Sequence, residues 1–265
     1  MEKSALQKAR ASYQPKLPKA LQGAVKVSEG APTKSVDNQD EIKKLFPNTY
    51  GMPLVEFVQG DEMPSKEINV GIILSGGQAP GGHNVISGLF DEVKRLNPNN
   101  RLYGFLMGPG GLVDHNYIEI TADFIDEYRN TGGFDMIGSG RTKLETTEQF
   151  EKGLEIIRKL DIKAIVIIGG DDSNTNACVL AEYYAAKNYG VQVIGCPKTI
   201  AGFFGYGGAI THGKAYLSRF KRRGIVGTIA CYSYDFALLL EQIHQTSLIE
   251  WTCPRNYPKV TYTLQ

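Results

Sequence analysis

Several features that would define a specialised class of protein are missing or scarce in this sequence. No apolar run within its 265 residues reaches the roughly 18 residues that a membrane-spanning helix needs. The 29 Lys and Arg residues balance 28 Asp and Glu residues, giving a net charge of +1, so a strongly basic nucleic-acid-binding surface is not expected. The cysteines show no paired CxxC spacing, which favours reduced intracellular thiols over a disulfide framework or a zinc site. They are Cys178, Cys196, Cys231 and Cys253.

The N-terminal sequence MEKSALQKARASYQPKLP has no apolar core of the kind found in secretory signals, so we expect a cytoplasmic location. Residues 1–68 are predicted to form an N-terminal arm, with a short helix over residues 4–13 and extended chain after it. Hydrophobic residues make up 42% of the chain, which is enough for a sizeable core. The length allows one large domain or two small ones.

Glycine, with 30 residues, is abundant, and much of it follows short apolar runs. Runs such as NVGIIL and KAIVII lack polar alternation, which is typical of strands covered on both faces. Residues with helical spacing follow several of these runs, so the region 69–200 is predicted to be an α/β domain with a doubly wound, Rossmann-like parallel sheet. The predicted strands are 69–74, 101–107, the FDMIGSG segment 134–140, 163–168 and 191–195. The predicted helices are 83–96, 147–160 and 177–187.

Ligands of such sheets bind at the carboxyl ends of the strands, where the glycine-rich loops are expected. The loop SGGQAPGG contains Gly76, Gly77, Gly81 and Gly82, whose backbone N–H groups are not shielded by side chains. A helix beginning near His83 would add the positive end of its dipole, and together these features suit a phosphate. The alternative is a tight strand-to-helix turn that needs glycine for its backbone alone.

Three further loops carry charges at predicted strand ends. In GSGRTK, Arg141 and Lys143 could bind phosphate oxygens or form a solvated surface pair. In GGDDSN, Asp171 and Asp172 could bind Mg²⁺ beside phosphates, although one of them could simply cap the helix. In CPKTI, Lys198 could balance a transferring phosphoryl group, or could be an ordinary solvated lysine. Four such loops in succession favour a phosphate-binding edge.

In this order, the motifs resemble those of the pyrophosphate-dependent phosphofructokinase family, in its long-chain branch. The likeness extends over about residues 1–200, from LQKARASYQPKLP through GGQAPGGHN, GSGRTK, GGDDSN and PKTI. It implies transfer of a phosphoryl group from pyrophosphate to fructose 6-phosphate with Mg²⁺, giving fructose 1,6-bisphosphate and phosphate. It also implies oligomeric assembly. Lipid and NAD kinases share a GGD motif, but GGQAPGGHN and GSGRTK argue against them.

The resemblance also implies roles for individual residues. Asp171 would bind Mg²⁺, and Asp172 takes the place of a glycine found in ATP-using relatives, which favours pyrophosphate over ATP. Lys198 would stabilise the transferred phosphoryl group, and Thr199 would help to seat the sugar phosphate. Five residues would bind the phosphate donor: Gly76, Gly77, Gly82, Arg141 and Lys143.

The resemblance ends near residue 200. The family continues PKTI with D-x-D, whose first aspartate is the general base, but Ala201 and Phe203 take these places here. General base catalysis typically contributes about 10²–10⁴-fold, so turnover by this chain is not expected. Residues 201–265 match no further family motif and hold 7 Lys and Arg against 3 Asp and Glu. We expect a truncated fold in which the acceptor half is missing.

Two hypotheses stay open for residues 201–265. The segment could come from a frame-shifted or mis-spliced reading, or it could be a divergent ending of a non-catalytic homologue. In the second case the chain would be a phosphate-binding or regulatory subunit. The predicted organisation is therefore an arm (1–68), a phosphate-donor domain (69–200) and a divergent tail (201–265).

Overall fold

The computed structural model describes residues 4–13, 22–35, 37–61, 67–79 and 81–198. In this part of the chain the strands are β1 (Val25–Pro32), β2 (Pro53–Gln59), β3 (Asn69–Leu74), β4 (Leu102–Phe105), β5 (Tyr117–Ile120), β6 (Ile162–Gly169) and β7 (Gln192–Pro197). The helices are α1 (Ala5–Ser12), α2 (Gln39–Leu45), α3 (Gly82–Leu96), α4 (Pro109–Val113), α5 (Ala122–Tyr128), α6 (Thr147–Lys159) and α7 (Asp171–Ala186).

A five-stranded sheet in the order β5-β4-β3-β6-β7 forms the centre of the fold. Strands β4, β3, β6 and β7 are parallel, and β5 pairs antiparallel with β4. The predicted α/β class is confirmed, and the parallel sheet is confirmed for four of these five strands. The antiparallel edge strand corrects a prediction in which every strand was parallel.

Side chains alternate between two apolar layers, as the period of a strand requires. On β3, Ile72 and Leu74 face a layer that contains α3, whereas Ile73 faces the layer that contains α6 and α7. On β6, Val166 and Ile167 divide in the same way. Both faces are thus covered, which explains the apolar runs without polar alternation and confirms the doubly wound arrangement.

Local signals set the limits of the helices on both faces. Helix α6 begins with a capping box in which Thr146 and Gln149 satisfy each other's backbone N–H groups. Helix α3 ends at Leu96, the predicted last residue, and its C-cap Asn97 stands immediately before Pro98. Helix α7 starts at Asp171, six residues before the predicted start at residue 177. The segment DDSNTN contains no apolar residues, so hydrophobic periodicity could not indicate this first part of the helix.

The predicted strand over residues 134–140 is wrong. A single parallel bridge, between Ser75 and Gly140, joins this segment to the sheet. The backbone N–H groups of Asp135 and Met136 donate to the imidazole of His83 rather than to a strand. Gly138 then turns the chain with φ +65°, which is outside the β region. The segment is an irregular loop with buried apolar side chains.

Residues before the central sheet are more regular than the predicted arm. Strands β1 and β2 form a two-stranded antiparallel sheet, and α2 lies between them in sequence. The predicted N-terminal helix is present as α1, with a capping box formed by Ser4 and Gln7. The Glu182 carboxylate on α7 accepts hydrogen bonds from the backbone N–H groups of Asn48 and Thr49, which holds this region against the sheet domain. No helix of the described residues is long and apolar enough to cross a membrane.

Candidate phosphate-binding site

The carboxyl ends of β3 and β6 lie side by side, and the region next to these strand ends is here called the crevice. The chain leaves β3 towards α3 on one face of the sheet and leaves β6 towards α7 on the other. Neighbouring strands whose connections depart in opposite directions form a topological switch point, where doubly wound sheets bind ligands. Several predicted loops therefore do meet at one edge.

The turn after β3 brings two predicted loops together. Ser75 N–H donates to the carbonyl of Ile168 at the end of β6, at 2.8 Å. Gly76 N–H donates to the carbonyl of Gly140, also at 2.8 Å. Gly76 has φ +85°, a conformation that a side chain would strain, so glycine is required here for the turn itself. The turn places the loop that leads to Arg141 beside the end of β3.

Lys198, directly after β7, lies over the same turn. Its backbone N–H donates to the carbonyl of Gly169 at 2.8 Å, and its Nζ donates to the carbonyl of Gly77. A Cβ built on Gly76 would lie 3.8 Å from this Nζ. The structure therefore brings Lys198 together with Gly76 and Gly77. Burial lowers the pKa of the half-buried Lys198, and the positive charge of Arg141 lowers it further.

The loop with Arg141 and Lys143 is anchored from α7. The side chain of Asn176 accepts from Leu144 N–H at 2.9 Å and donates to the Leu144 carbonyl at 2.5 Å. The side chains of Arg141 and Lys143 are exposed. Gly140, which precedes Arg141, accepts from Gly76 N–H, and the charge of Arg141 lowers the pKa of Lys198, so two cations lie near the end of β3, where they would favour a polyanion.

The acidic pair begins α7, immediately after the Gly-Gly at the end of β6. Asp171 is the first residue of the helix, and the side chain of Asp172 is exposed. The described residues contain no cluster of three or more His, Cys, Asp or Glu that could hold a metal ion. Mg²⁺ in phosphoryl-transfer sites typically uses one or two carboxylates, substrate phosphates and waters. The acidic pair has the number and type of protein ligands that such a site would need.

Two residues of GGDDSN to which the sequence reading gave no role help to shape the crevice. Ser173 Oγ donates to Ser75 Oγ at 2.8 Å, linking α7 to the end of β3. The buried Asn174 donates to the carbonyls of Gly169 and Gly170 at 2.7 and 2.8 Å. Their position directly after the Gly-Gly and the two aspartates is the only signal for them in the sequence, because their partners lie on β3 and at the end of β6.

Gly82, the first residue of α3, is packed against an aromatic ring. A Cβ at this position would lie 2.9 Å from Cε2 of Phe134. The N–H groups on either side of Gly82, those of Gly81 and His83, donate to the carbonyls of Gly132 and Gly133, at 2.9 Å each. Packing gives a reason for glycine here, and the predicted contact of Gly82 with the phosphate donor stays a prediction.

The remaining predicted positions lie outside the described residues. They are Thr199, Ala201 and Phe203, together with the rest of the segment 201–265. The predicted role of Thr199 and the missing general base therefore rest on the sequence.

Comparison with known proteins agrees with the resemblance found in the motifs. The family profile for phosphofructokinase matches residues 69–202, half of the chain. The pyrophosphate–fructose 6-phosphate 1-phosphotransferase of Porphyromonas gingivalis is 69% identical over 203 residues, covering 76% of this chain and 37% of that protein. Subunit beta 1 of the Arabidopsis thaliana enzyme of the same name is 51% identical over 201 residues, covering 75% of this chain and 36% of that subunit.

The chain belongs to the phosphofructokinase family. It spans little more than a third of the length of these curated relatives. A crystal structure of a pyrophosphate-dependent phosphofructokinase from Marinobacter aquaeolei has a TM-score of 0.46 and 23% identity, covering 51% of this chain and 34% of that one.

Proposed function

We propose that this chain carries the phosphate-donor half of a pyrophosphate-dependent phosphotransferase that acts on fructose 6-phosphate. The observation that supports this most directly is the convergence of Lys198, Gly76, Gly77 and the charge of Arg141 at the switch point of the sheet. The names of the P. gingivalis and A. thaliana relatives supply the substrates for the proposal.

In the proposed reaction, the 1-hydroxyl oxygen of the sugar attacks the terminal phosphorus of pyrophosphate. The bond from that phosphorus to the bridging oxygen breaks, phosphate leaves, and the proton of the hydroxyl passes to water or to the leaving phosphate, because Ala201 cannot accept it. Lys198 and Arg141 would neutralise charge on the donor oxygens, so most of the protein's contribution is positioning and electrostatics. Asp171 would hold Mg²⁺, which supplies further charge neutralisation when bound. Asp172, by its bulk and charge, would oppose the inner phosphates of ATP.

Calorimetric titration with magnesium pyrophosphate tests donor binding. The variant Lys198→Met keeps the length of the side chain and removes its charge. We expect its Kd to rise about 10- to 100-fold, as the loss of a hydrogen bond to a charged group predicts. The matched control is Lys163→Met, because Lys163 pairs with Asp161 near the opposite end of β6. Equal binding by both variants, or no binding by the parent chain, would contradict the proposal.

A second candidate, a non-catalytic phosphate-binding subunit, is favoured by Ala201, which cannot accept the proton of the sugar hydroxyl. Assaying phosphate release from pyrophosphate, fructose 6-phosphate and Mg²⁺ separates the two functions. Binding without release supports the subunit, and release above the background of a Lys198→Met sample supports the enzyme. Gain of release in Ala201→Asp would assign the defect to the missing base.

The proposal also includes the domain limits, assembly into an oligomer and the cellular location. The domain limits at residues 69 and 200 are those suggested by the motifs, and the family profile ends close by, at residue 202. The alpha and beta subunit names among the relatives support assembly into an oligomer. A sugar-phosphate enzyme of this kind would work in the cytoplasm.

A further inference from the structure

His83 is a buried polar residue in the first turn of α3 to which the proposed reaction gives no role. Its side chain is 4% exposed, and its ring contacts residues 131–136, here called the bracketed loop. Nδ1 lies 2.7 Å from the hydroxyl of Thr131. Nε2 lies 3.0 Å from the backbone nitrogens of both Asp135 and Met136. One ring therefore fixes both ends of the bracketed loop.

The hydrogen bonds define the tautomer of the imidazole. The Thr131 hydroxyl donates to the carbonyl of Tyr128 at 2.6 Å, so it accepts from Nδ1–H of His83. The lone pair of Nε2 then accepts from the two amides, which requires a neutral ring. Burial lowers the pKa of His83 and so favours this form, although the Asp135 carboxylate, 2.9 Å from Nε2, acts in the opposite direction.

Close packing reinforces these bonds. His83 N–H donates to the carbonyl of Gly133 at 2.9 Å. A Cβ on Gly133 would lie 2.8 Å from Nδ1 of His83, so the loop backbone lies directly against the ring. The Tyr128 ring meets the imidazole edge-on, with the ring centroids 5.0 Å apart. The bracketed loop is thus held from its backbone as well as from its side chains.

Phe134, in the middle of the bracketed loop, connects it to the crevice. Its ring fills the space beside Gly82. Lys198 Nζ lies over the same ring, 5.2 Å from the centroid, which is within the range of a cation–π contact. A displacement of the loop would therefore remove one of the surfaces that orient the Lys198 ammonium.

We propose that His83 is a positioning residue for Lys198: by fixing the bracketed loop, it holds the face of Phe134 against the lysine ammonium at the phosphate-binding crevice. This inference rests on the proposed function only for its effect on phosphate binding. The placement of Lys198 by His83 can be measured without any ligand.

Three substitutions of His83 distinguish the hydrogen bond made by Nδ1 from those made by Nε2. His83→Gln keeps an acceptor at the same number of bonds from Cα as Nε2, whereas His83→Asn keeps only a donor in place of Nδ1. His83→Leu keeps neither. Phe134→Leu removes the aromatic face and leaves His83 in place. Val93→Ala, at a buried position of α3 ten residues after His83, serves as a control that weakens the helix packing and leaves the His83 ring in place.

The first measurement is the NMR spectrum of the chain with ¹³C-labelled lysine. The methylene signals of Lys198, assigned by their loss in Lys198→Met, should carry an upfield ring-current shift from Phe134. We expect the shift to disappear in His83→Leu, His83→Asn and Phe134→Leu, and to remain in His83→Gln and Val93→Ala. An unchanged shift in His83→Asn and His83→Leu would overturn the proposal, and if the leucine variant does not fold, the asparagine variant decides.

The second measurement is the Kd for magnesium pyrophosphate. His83→Leu should raise it about fivefold, or about 1 kcal/mol, within the range of a cation–π contact, and His83→Gln should restore most of the affinity. A purely structural role would make Val93→Ala lose affinity in step with its stability, which would contradict the positioning role. If the parent chain binds no pyrophosphate, the proposed function fails while the NMR comparison still decides the role of His83.

Discussion

Gly169 ends β6 where the first turn of α7 packs against it, and alanine at this position should disturb the whole crevice. A Cβ here would lie 2.5 Å from Ser173 Oγ and 3.0 Å from the carbonyl oxygen of Ser75. Rotation of the Ser173 hydroxyl would not relieve the clash, because the Cβ atom of Ser173 lies even closer to the added methyl group. The Ser75 backbone is fixed by its bond to Ile168. The added methyl group must therefore push α7 away from the sheet.

The expected magnitude combines opposing effects. Replacing glycine by alanine stabilises by about 0.4–1 kcal/mol where the backbone tolerates it, because the unfolded chain has fewer conformations. Overpacking a close contact costs about 1–3 kcal/mol. The carbonyl of Gly169 also accepts from Lys198 N–H and from the Asn174 side chain, so a shift of the strand end weakens further bonds. We expect a net destabilisation of about 1–3 kcal/mol.

Gly30→Ala is the matched control, because Gly30 also lies in a strand and a Cβ there would meet Leu54 Cβ at 3.4 Å, an ordinary contact. Urea unfolding followed by far-UV circular dichroism measures both variants. The single tryptophan, Trp251, lies outside the described residues, so circular dichroism is chosen instead of tryptophan fluorescence. Coinciding midpoints for Gly169→Ala and Gly30→Ala would refute the steric reasoning, since the two changes share the same effect on the unfolded chain.

Two further predictions concern groups away from the phosphates. Glu182→Ala should raise the rate of limited proteolysis near Asn48 and Thr49, because it removes an acceptor bonded to both backbone N–H groups; cleavage at the parent's rate would show that this anchor is dispensable. Because burial lowers the pKa of His83 in the folded chain, the unfolded chain binds the proton first as pH falls below about 6.5. Stability should therefore fall with pH in this window by up to about 1.4 kcal/mol per unit, and His83→Gln should show a shallower loss in parallel urea titrations. An equal loss of unfolding free energy in both proteins would mean that protonation of His83 does not destabilise the folded chain.

The sequence predicted the elements of the central sheet well where apolar runs are long and uninterrupted. The runs at β3 and β6 correspond to strands buried on both faces, so composition and position agree. The segment 134–140 has the same apolar character, yet it is a loop, because the amides of Asp135 and Met136 donate to a histidine from another element. Strand β5, YIEI, is short and lies at the edge, where the apolar signal is weak.

The candidate site shows a similar division. Charged and glycine-rich loops identified Lys198, Arg141 and the turn at Gly76, because phosphate chemistry needs these residue types. His83 and Phe134 belong to the segments GGQAPGGHN and FDMIGSG, but nothing in their local sequence shows that these segments meet each other. Fifty residues separate them along the chain, and a periodic pattern carries no information on contacts at that distance.

By itself, the sequence determined the class of fold and the family to which the chain belongs, and it predicted the edge of the sheet at which a ligand would bind. These follow from local patterns: apolar runs, glycine at strand ends and the order of charged loops. Only the tertiary structure decided which groups surround the lysine and why particular glycines are needed. Steric contacts and hydrogen bonds between distant segments form only in the folded chain. The need for glycine at positions Gly82, Gly133 and Gly169 is therefore visible only in the tertiary structure.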